Sequence, residues 1–328
     1  MKAAYYEKQG KAADVLKVSE VPEPVPGLGE VRVKIAVSGI NPSDLKNRSG
    51  FLGAMSYKRV IPHQDGAGII DRVGEGVSES RIGERVWVYE AQAAGRANGT
   101  AAEYVVIPAE NAVPLSEGVS YEIGACLGIP ALTAHRVLFS DGNLKGKRVL
   151  VHGGAGVVGE AAIMLAKWSG AWVATTIRKE SDREQAQKTG ADLVINMKSE
   201  EVAPKIKAAT EGKGVDRIIE VDLLSNAEID LESIAQGGVI CTYALKKADD
   251  ALNLPIFRAM KGGCVFRFVF IYNVPDEIKR PAIKDITECL KSGKYRPTIG
   301  KSLPLEKIAE AHEVLEQRAI KGNIIVTI

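Results

Sequence analysis

The stretch from residue 148 to about 180 constrains this chain more than any other. Val149, Leu150 and Val151 form an apolar, β-branched run too short for a helix, and the run stops at glycine, as a buried parallel strand does. Directly after it, Gly154, Ala155, Gly156, Val157, Val158 and Gly159 set out the spacing G-x-G-x-x-G. From Val157 onward apolar residues recur at 158, 161, 162, 165 and 168, the interval of a helix. Strand, glycine turn and helix in this order make a seat for a pyrophosphate. The glycines permit a tight turn, close approach of backbone to anion, and close packing of helix on strand. The helix N-terminus adds free N–H groups and the positive end of its dipole.

A second strand, Trp172 to Ile177, ends where such a fold holds the ribose of a dinucleotide, and there the sequence offers Arg178 and Lys179, with Arg183 further on. An acidic residue at this place binds a free 2′-hydroxyl, whereas a basic one accommodates a 2′-phosphate. The cofactor expected is therefore NADP(H) in preference to NAD(H). The competing reading of these bases is a solvated helix start.

At 328 residues the chain exceeds the roughly 250–300 residues at which a single core stops growing, so two domains are expected. With 45% hydrophobic and 26% charged residues it is an ordinary globular sequence. A formal charge of +2 without a dense basic run argues against dedicated nucleic-acid binding. The first eight residues lack the apolar core of a signal peptide, and no window approaches the ~18 apolar residues of a membrane span, so a cytoplasmic protein is expected. Cys126, Cys241, Cys264 and Cys289 are scattered without a C-x-x-C pair and read as reduced core thiols.

Up to about residue 124 the pattern is β-rich. Val31, Val33, Ile35 and Val37 alternate with Arg32, Lys34 and Ala36, the period of a half-buried strand. Short strands recur near 68–74, 85–89 and 103–108, a barrel-like arrangement. Among them a polar loop, Ser38 to Gly50, enters a short helix after Pro42; such a loop can carry function. Beyond residue 125 strand candidates at 193–196, 215–221, 238–242 and 264–272 alternate with helical segments, the mark of a doubly wound parallel sheet. The helical stretches 276–291 and 305–318 and the last strand, 323–328, are expected to return to the β domain. The division expected is 1–124 with 273–328 for the β-barrel domain and 125–272 for the α/β domain.

With these residues in place the chain resembles the medium-chain dehydrogenase/reductase superfamily, and within it the quinone oxidoreductases of the ζ-crystallin type. The resemblance rests on Ala36-Val-Ser-Gly-Ile-Asn-Pro-Ser-Asp, Gly66-Ala-Gly-Ile-Ile-Asp-Arg-Val-Gly with Gly83-Glu-Arg-Val, Ile129-Pro-Ala-Leu-Thr-Ala, the glycine loop, and Pro304-Leu-Glu-Lys-Ile-Ala-Glu-Ala-His-Glu. It implies a Rossmann domain joined to a GroES-like catalytic domain. Zinc alcohol dehydrogenases of this superfamily carry cysteine where this chain has Ser38 and His-Glu where it has Gln64-Asp65, and they add a four-cysteine lobe. Serine and glutamine are poor zinc ligands, so no metal is expected. His63, one position off that register, reads as a loop histidine, with a pocket-lining role as the alternative.

The resemblance implies hydride transfer from NADPH to a quinone, or alternatively to an enone or alkenal, with orientation and hydrogen-bond donors supplied by the protein. It places Asn41 and Asp44 near the nicotinamide and Thr133 at the domain boundary facing it; for Asn41 and Asp44 helix-cap chemistry competes. It also implies that Tyr243, Phe270, Ile271, Arg318 and Asn323 contact the cofactor, with packing as the competing reading for the apolar and aromatic members. Lys46 and Phe51 stand where relatives often present tyrosines, and Glu220-Val-Asp-Leu-Leu-Ser-Asn lacks a glycine that many members have. Relatives that serve as lens and RNA-binding proteins supply a non-catalytic alternative, which the near-neutral charge disfavours. The strand from Cys264 to Phe270 implies a homodimer paired edge to edge.

Overall fold

The computed structural model describes all 328 residues apart from Leu52 and Ala94. The chain begins with β1 (Lys2–Tyr5), α1 (Ala12–Val15), β2 (Lys17–Glu20), β3 (Glu30–Gly39), α2 (Pro42–Ser49), β4 (Asp65–Val73), β5 (Arg85–Val88), β6 (Tyr104–Pro108), β7 (Ala112–Pro114) and α3 (Tyr121–Gly124). Strand β3 is the spine of this part, pairing antiparallel with both β4 and β6. Val31, Val33 and Ile35 pack into a core with Ile70, Val86, Val88, Val105 and Ile107. The alternation expected along β3 breaks at Arg32, which is also buried. Its guanidinium binds both carboxylate oxygens of Asp71, at 3.0 and 2.6 Å, and one of Glu23, and lies over the Tyr104 ring. A buried cation persists only when paired in this way.

Helix α4 (Ile129–Phe139) carries the chain into its second unit, which comprises Ala131–Arg296. There follow β8 (Arg148–Val151), α5 (Val157–Trp168), β9 (Trp172–Ile177), α6 (Arg183–Lys188), β10 (Leu193–Asn196), α7 (Val202–Ala209), β11 (Val215–Glu220), α8 (Leu223–Ser233), β12 (Ile234–Thr242), α9 (Ile256–Gly262), β13 (Val265–Phe268) and α10 (Asp276–Lys291). Among the described residues the six strands form one sheet, in the order β10-β9-β8-β11-β12-β13, and every pairing is parallel. This is the doubly wound order of a dinucleotide-binding sheet. Its direction of winding reverses at β8, and the crevice for a ligand opens there, outside the carboxyl ends of the strands. Leu150, Ile195, Ile206, Ile218 and Ile240 fill the core beneath, each worth about 1.5–3 kcal/mol on burial.

The chain then returns to the first unit, Met1–Pro130 with Pro297–Ile328, through β14 (Ile299–Pro304), α11 (Ile308–Gln317) and β15 (Asn323–Thr327). Strand β15 pairs antiparallel with β3 and parallel with β14, which gives a sheet ordered β14-β15-β3-β4-β5-β7 with β6 also on β3.

Two expectations need correction. The division falls at 130/131 and 296/297, not at 124/125 and 272/273, so helix 276–291 belongs to the α/β unit and not to the β domain. A parallel sheet must be covered on both faces, and α10 buries Ala282, Ile286, Cys289 and Leu290 while its Asp285 accepts a bond from His135 Nε2 at 2.8 Å. The sixth strand is also shorter than 264–272, because Ile271–Asn273 turns as a 3-10 helix.

Candidate functional site: a dinucleotide cradle and a buried polar network

The glycine loop lies at the carboxyl end of β8, with Gly156 as the N-cap of α5. Gly156 has no side chain to cap that helix, so its first N–H groups receive no bond from the N-cap residue's side chain. Close approach explains two of the glycines. A Cβ on Gly154 would stand 2.0 Å from Thr175 Oγ1, and one on Gly159 would stand 2.3 Å from the Gly153 carbonyl oxygen. Gly153 and Gly156 are exposed, while Ala155, Val157 and Val158 are half-buried around them.

Beneath the loop sits a buried charge cluster that sequence reasoning missed. His152 Nε2 lies 2.9 Å from Asp230 Oδ1 and 3.6 Å from Glu220 Oε2, and His152 Nδ1 bonds Thr176 Oγ1, which also accepts from the Gly153 N–H. Burial works against a charged His152, but the charges of Glu220 and Asp230 outweigh it and raise its pKa. Burial pushes the Glu220 carboxyl up to about 7. The cluster ties the first residue of the loop to β9, β11 and α8.

At the end of β9 both Arg178 and Lys179 are exposed, and one Arg178 Nη donates to Asp222 Oδ2 at 3.3 Å. Arg183 is occupied elsewhere: it pairs with Glu180 and Glu200 and donates to the Val194 carbonyl oxygen. Its basicity therefore supports α6 and not the ribose position. Tyr243 follows β12, and burial together with the Glu220 charge raises its hydroxyl well above the ordinary range. Thr133 is buried in α4, Ile271 is buried, and Phe270 is half exposed against Tyr272.

Asn41 and Asp44 stand together in the first unit as the capping box of α2, with the Asn41 N–H donating to Asp44 Oδ2 at 2.7 Å. The competing reading from sequence, helix-cap chemistry, is thus present in the geometry. Burial pushes the Asp44 carboxyl up to about 7, and its Oδ1 has no partner among the described residues. The Asn41 side-chain Nδ2 donates to Asp65 Oδ2 at 2.7 Å, an oxygen that also accepts from the Ile129 N–H at 2.8 Å. Burial raises the Asp65 carboxyl well above its usual range. Arg318 caps α11 in the left-handed conformation and is exposed, and Asn323 Nδ2 is engaged by the Thr298 carbonyl oxygen. Lys46 lies over the Phe51 ring.

His63 is a loop histidine, as expected, just before β4, but it is fully buried, at φ 81°, a conformation that side chains other than glycine adopt under strain. It belongs to a hydrogen-bonded chain whose polarity can be worked out. Thr100 Oγ1 gives its only proton to the Asp65 carbonyl oxygen at 2.5 Å, so Ser38 donates to Thr100 at 2.7 Å. His63 Nδ1–H then donates to Ser38 at 2.8 Å, which leaves His63 Nε2 to accept from His312 Nε2–H at 2.9 Å. Both rings are neutral. Burial lowers His63 to about 3, and burial with the neighbouring His63 takes His312 well below its ordinary value. The signal for this network was faint: a polar triplet, His63-Gln64-Asp65, interrupting apolar sequence, and a histidine inside α11.

A family model described as an alcohol dehydrogenase GroES-like domain matches residues 27–117, and one described as a zinc-binding dehydrogenase matches residues 157–288. The curated quinone oxidoreductase of Rattus norvegicus is 32% identical over 316 residues, covering 95% of this chain and 94% of its own. The crystal structure of Escherichia coli quinone oxidoreductase complexed with NADPH superposes with a TM-score of 0.85 at 25% identity over the whole of both chains. A crystal structure of an NAD-dependent alcohol dehydrogenase superposes over the whole of both chains as well, with a TM-score of 0.86 at 26% identity. Fold, loop and relatives define the class as a medium-chain dehydrogenase/reductase. Within that class the chain belongs to the zinc-independent quinone oxidoreductases.

The donor set does not fit the zinc of the alcohol dehydrogenases. Ser38 Oγ is committed to His63 and Thr100, Gln64 Oε1 accepts from the Gln92 N–H, and both ring nitrogens of His63 are engaged. A catalytic zinc needs three ligands with free nitrogen, sulfur or carboxylate lone pairs.

Proposed function

We propose that the chain is an NADPH:quinone oxidoreductase that works without zinc. The observation that carries this reading is the glycine cradle at the carboxyl end of β8, flanked at the end of β9 by exposed Arg178 and Lys179 in place of an acid. The quinone oxidoreductase relatives support the acceptor class, and the NADPH in the E. coli structure supports the cofactor.

When bound, NADPH supplies the hydride. Gly154, Ala155, Gly156, Val157, Val158 and Gly159 seat its pyrophosphate on the α5 N-terminus. Arg178 and Lys179 bind the 2′-phosphate, and Tyr243, Phe270, Ile271, Arg318 and Asn323 contact the remainder. Asn41, its amide held by Asp65, and Thr133 orient the acceptor through donors fixed before it arrives. Asp44, its carboxyl pushed up to about 7 by burial beside Asn41, is a group able to hold a proton there. A quinone is already electrophilic and needs no Lewis acid, which agrees with the unsuitability of Ser38 and Gln64 as ligands.

No helix of the described residues is long and apolar enough to cross a membrane; we place the protein in the cytoplasm. We also propose a homodimer joined through β13, the outer strand of its sheet, where Val265 and Phe268 are exposed. The test of the activity is NADPH and NADH oxidation with a 1,2-quinone, a 1,4-quinone and a 2-alkenal. Preferential use of NADPH with a quinone is expected. Better turnover of the alkenal moves the assignment to double-bond reduction, and tight NADPH binding without turnover of any acceptor overturns the enzyme reading.

A further inference from the structure

The sequence Glu220-Val-Asp-Leu-Leu-Ser-Asn departs from many relatives, and the structure gives that departure a use. Asp222 follows β11 and is the N-cap of α8, with its carboxylate nearly buried. Two cations from different strand ends converge on one of its oxygens. Arg178, after β9, reaches Oδ2 at 3.3 Å, and Lys246, from the loop after β12, reaches the same oxygen at 2.7 Å. Lys246 Nζ also donates to Ser225 Oγ at 3.0 Å. The loop is folded to deliver it: the backbone N–H groups of Lys246 and Lys247 donate to Asp250 Oδ2 at 2.9 and 2.8 Å.

We propose that Lys246 is a cofactor-specificity residue: together with Arg178 it binds the 2′-phosphate of NADPH, and Asp222 holds the two cations side by side for that purpose. The inference rests on the NADPH reading above and names a residue of that same site. Because both nitrogens bond one oxygen, they lie within about 6 Å of each other, a gap that phosphate oxygens can bridge. Both side chains remain more than half exposed, and most Arg178 donors and one Lys246 donor are left for a ligand. Arg178, Lys179 and Lys246 against Asp222 leave two positive charges unbalanced locally, matching a phosphate dianion and not a ribose diol. As a fold-stabilising contact the arrangement has modest value, since both cations are more than half exposed and solvent screens their attraction to Asp222.

The test compares Lys246→Gln, Lys246→Arg and Lys247→Gln with the wild type, reading Kd for NADPH and NADH by nicotinamide fluorescence and inhibition by 2′-AMP against 5′-AMP. Loss of one charge-assisted phosphate contact is expected to weaken NADPH and 2′-AMP about tenfold in Lys246→Gln. NADH and 5′-AMP should stay within about twofold, Lys246→Arg should restore most of the loss, and Lys247→Gln should behave as wild type. Unchanged NADPH binding in Lys246→Gln, or equal weakening of both cofactors, overturns the proposal while leaving the NADPH reading intact. A wild type that binds NADH as tightly as NADPH overturns both.

Discussion

The third glycine of the loop offers the most quantitative handle on the cofactor seat. In Gly159→Ala the new Cβ would stand 2.3 Å from the Gly153 carbonyl oxygen, 2.9 Å from its carbon and 3.0 Å from Gly154 Cα. The first of these is about 1 Å short of ordinary contact, and all three neighbours are backbone, so no side chain can swing aside. The loop must lift from α5. Overpacking of this kind costs about 1–3 kcal/mol. The cost falls on the segment that seats the pyrophosphate, so NADPH affinity should drop by about 5- to 150-fold. The melting temperature of the variant should fall by about 2–4 °C per kcal/mol for a unit of this size. Gly156→Ala is the milder comparison: within 4 Å its Cβ would meet only the Gly153 oxygen, at 3.2 Å, and the residue is exposed. It should leave the melting temperature within about 1 °C, because surface substitutions change stability by under about 0.5 kcal/mol, yet it should weaken NADPH by obstructing backbone approach. Fluorescence titration of NADPH and thermal melts of both variants decide the matter. Wild-type affinity in Gly156→Ala would refute the assignment of this loop to the pyrophosphate, and an unperturbed Gly159→Ala would refute the packing argument.

Two further outcomes follow from the geometry. His63 is neutral and buried, with its folded pKa lowered to about 3, so below about pH 6.5 the unfolded chain takes up a proton that the folded chain refuses. Its stabilising contribution is therefore present above pH 6.5 and is lost as pH falls toward 3, by about 1.4 kcal/mol per pH unit. Asp44, with its pKa raised to about 7, has the opposite slope between about 3.8 and 7, so the His63 effect must be read as a difference between proteins. Urea unfolding of wild type and His63→Asn, which keeps a residue tolerant of positive φ, should diverge by about 2 kcal/mol in their stability difference between pH 6.5 and 5.0; parallel curves contradict the neutral assignment. Separately, Phe268→Asp places a charge on the exposed edge strand, and light scattering should report a dimer from the wild type, as proposed, and a monomer from the variant; an unchanged mass argues against β13 as the interface.

The legible parts of the molecule were those encoded by neighbours in sequence. Val149 to Val151, the glycine loop and α5 could be placed because turn, strand and helix signals lie within some twenty residues, and α2 because Pro42 follows a capping asparagine. Helix α10 was misplaced because its apolar stripe shows that it is amphipathic but not which core receives it; contacts distant in sequence decide that, such as its packing on α5 and the bond from His135 to Asp285, 150 residues apart. The chain through Thr100, Ser38, His63 and His312 could not be read for the same reason, since its closing contact joins residues 249 apart. Arg183 failed as a ribose candidate because Glu180 and Glu200 claim it, and a count of nearby bases cannot reveal that competition. Asp222 and Lys246 were likewise invisible until three strand ends met.

The account turns on hydride transfer to an acceptor that needs no metal. Its most direct test is the steady-state rate of NADPH oxidation by a quinone after exhaustive chelation, measured on the same sample as its metal content. Full activity at far less than one zinc per chain is the predicted result. Activity that disappears with the metal and returns with added zinc would contradict it, and would mean that Ser38, His63 and Gln64 do not keep the arrangement described.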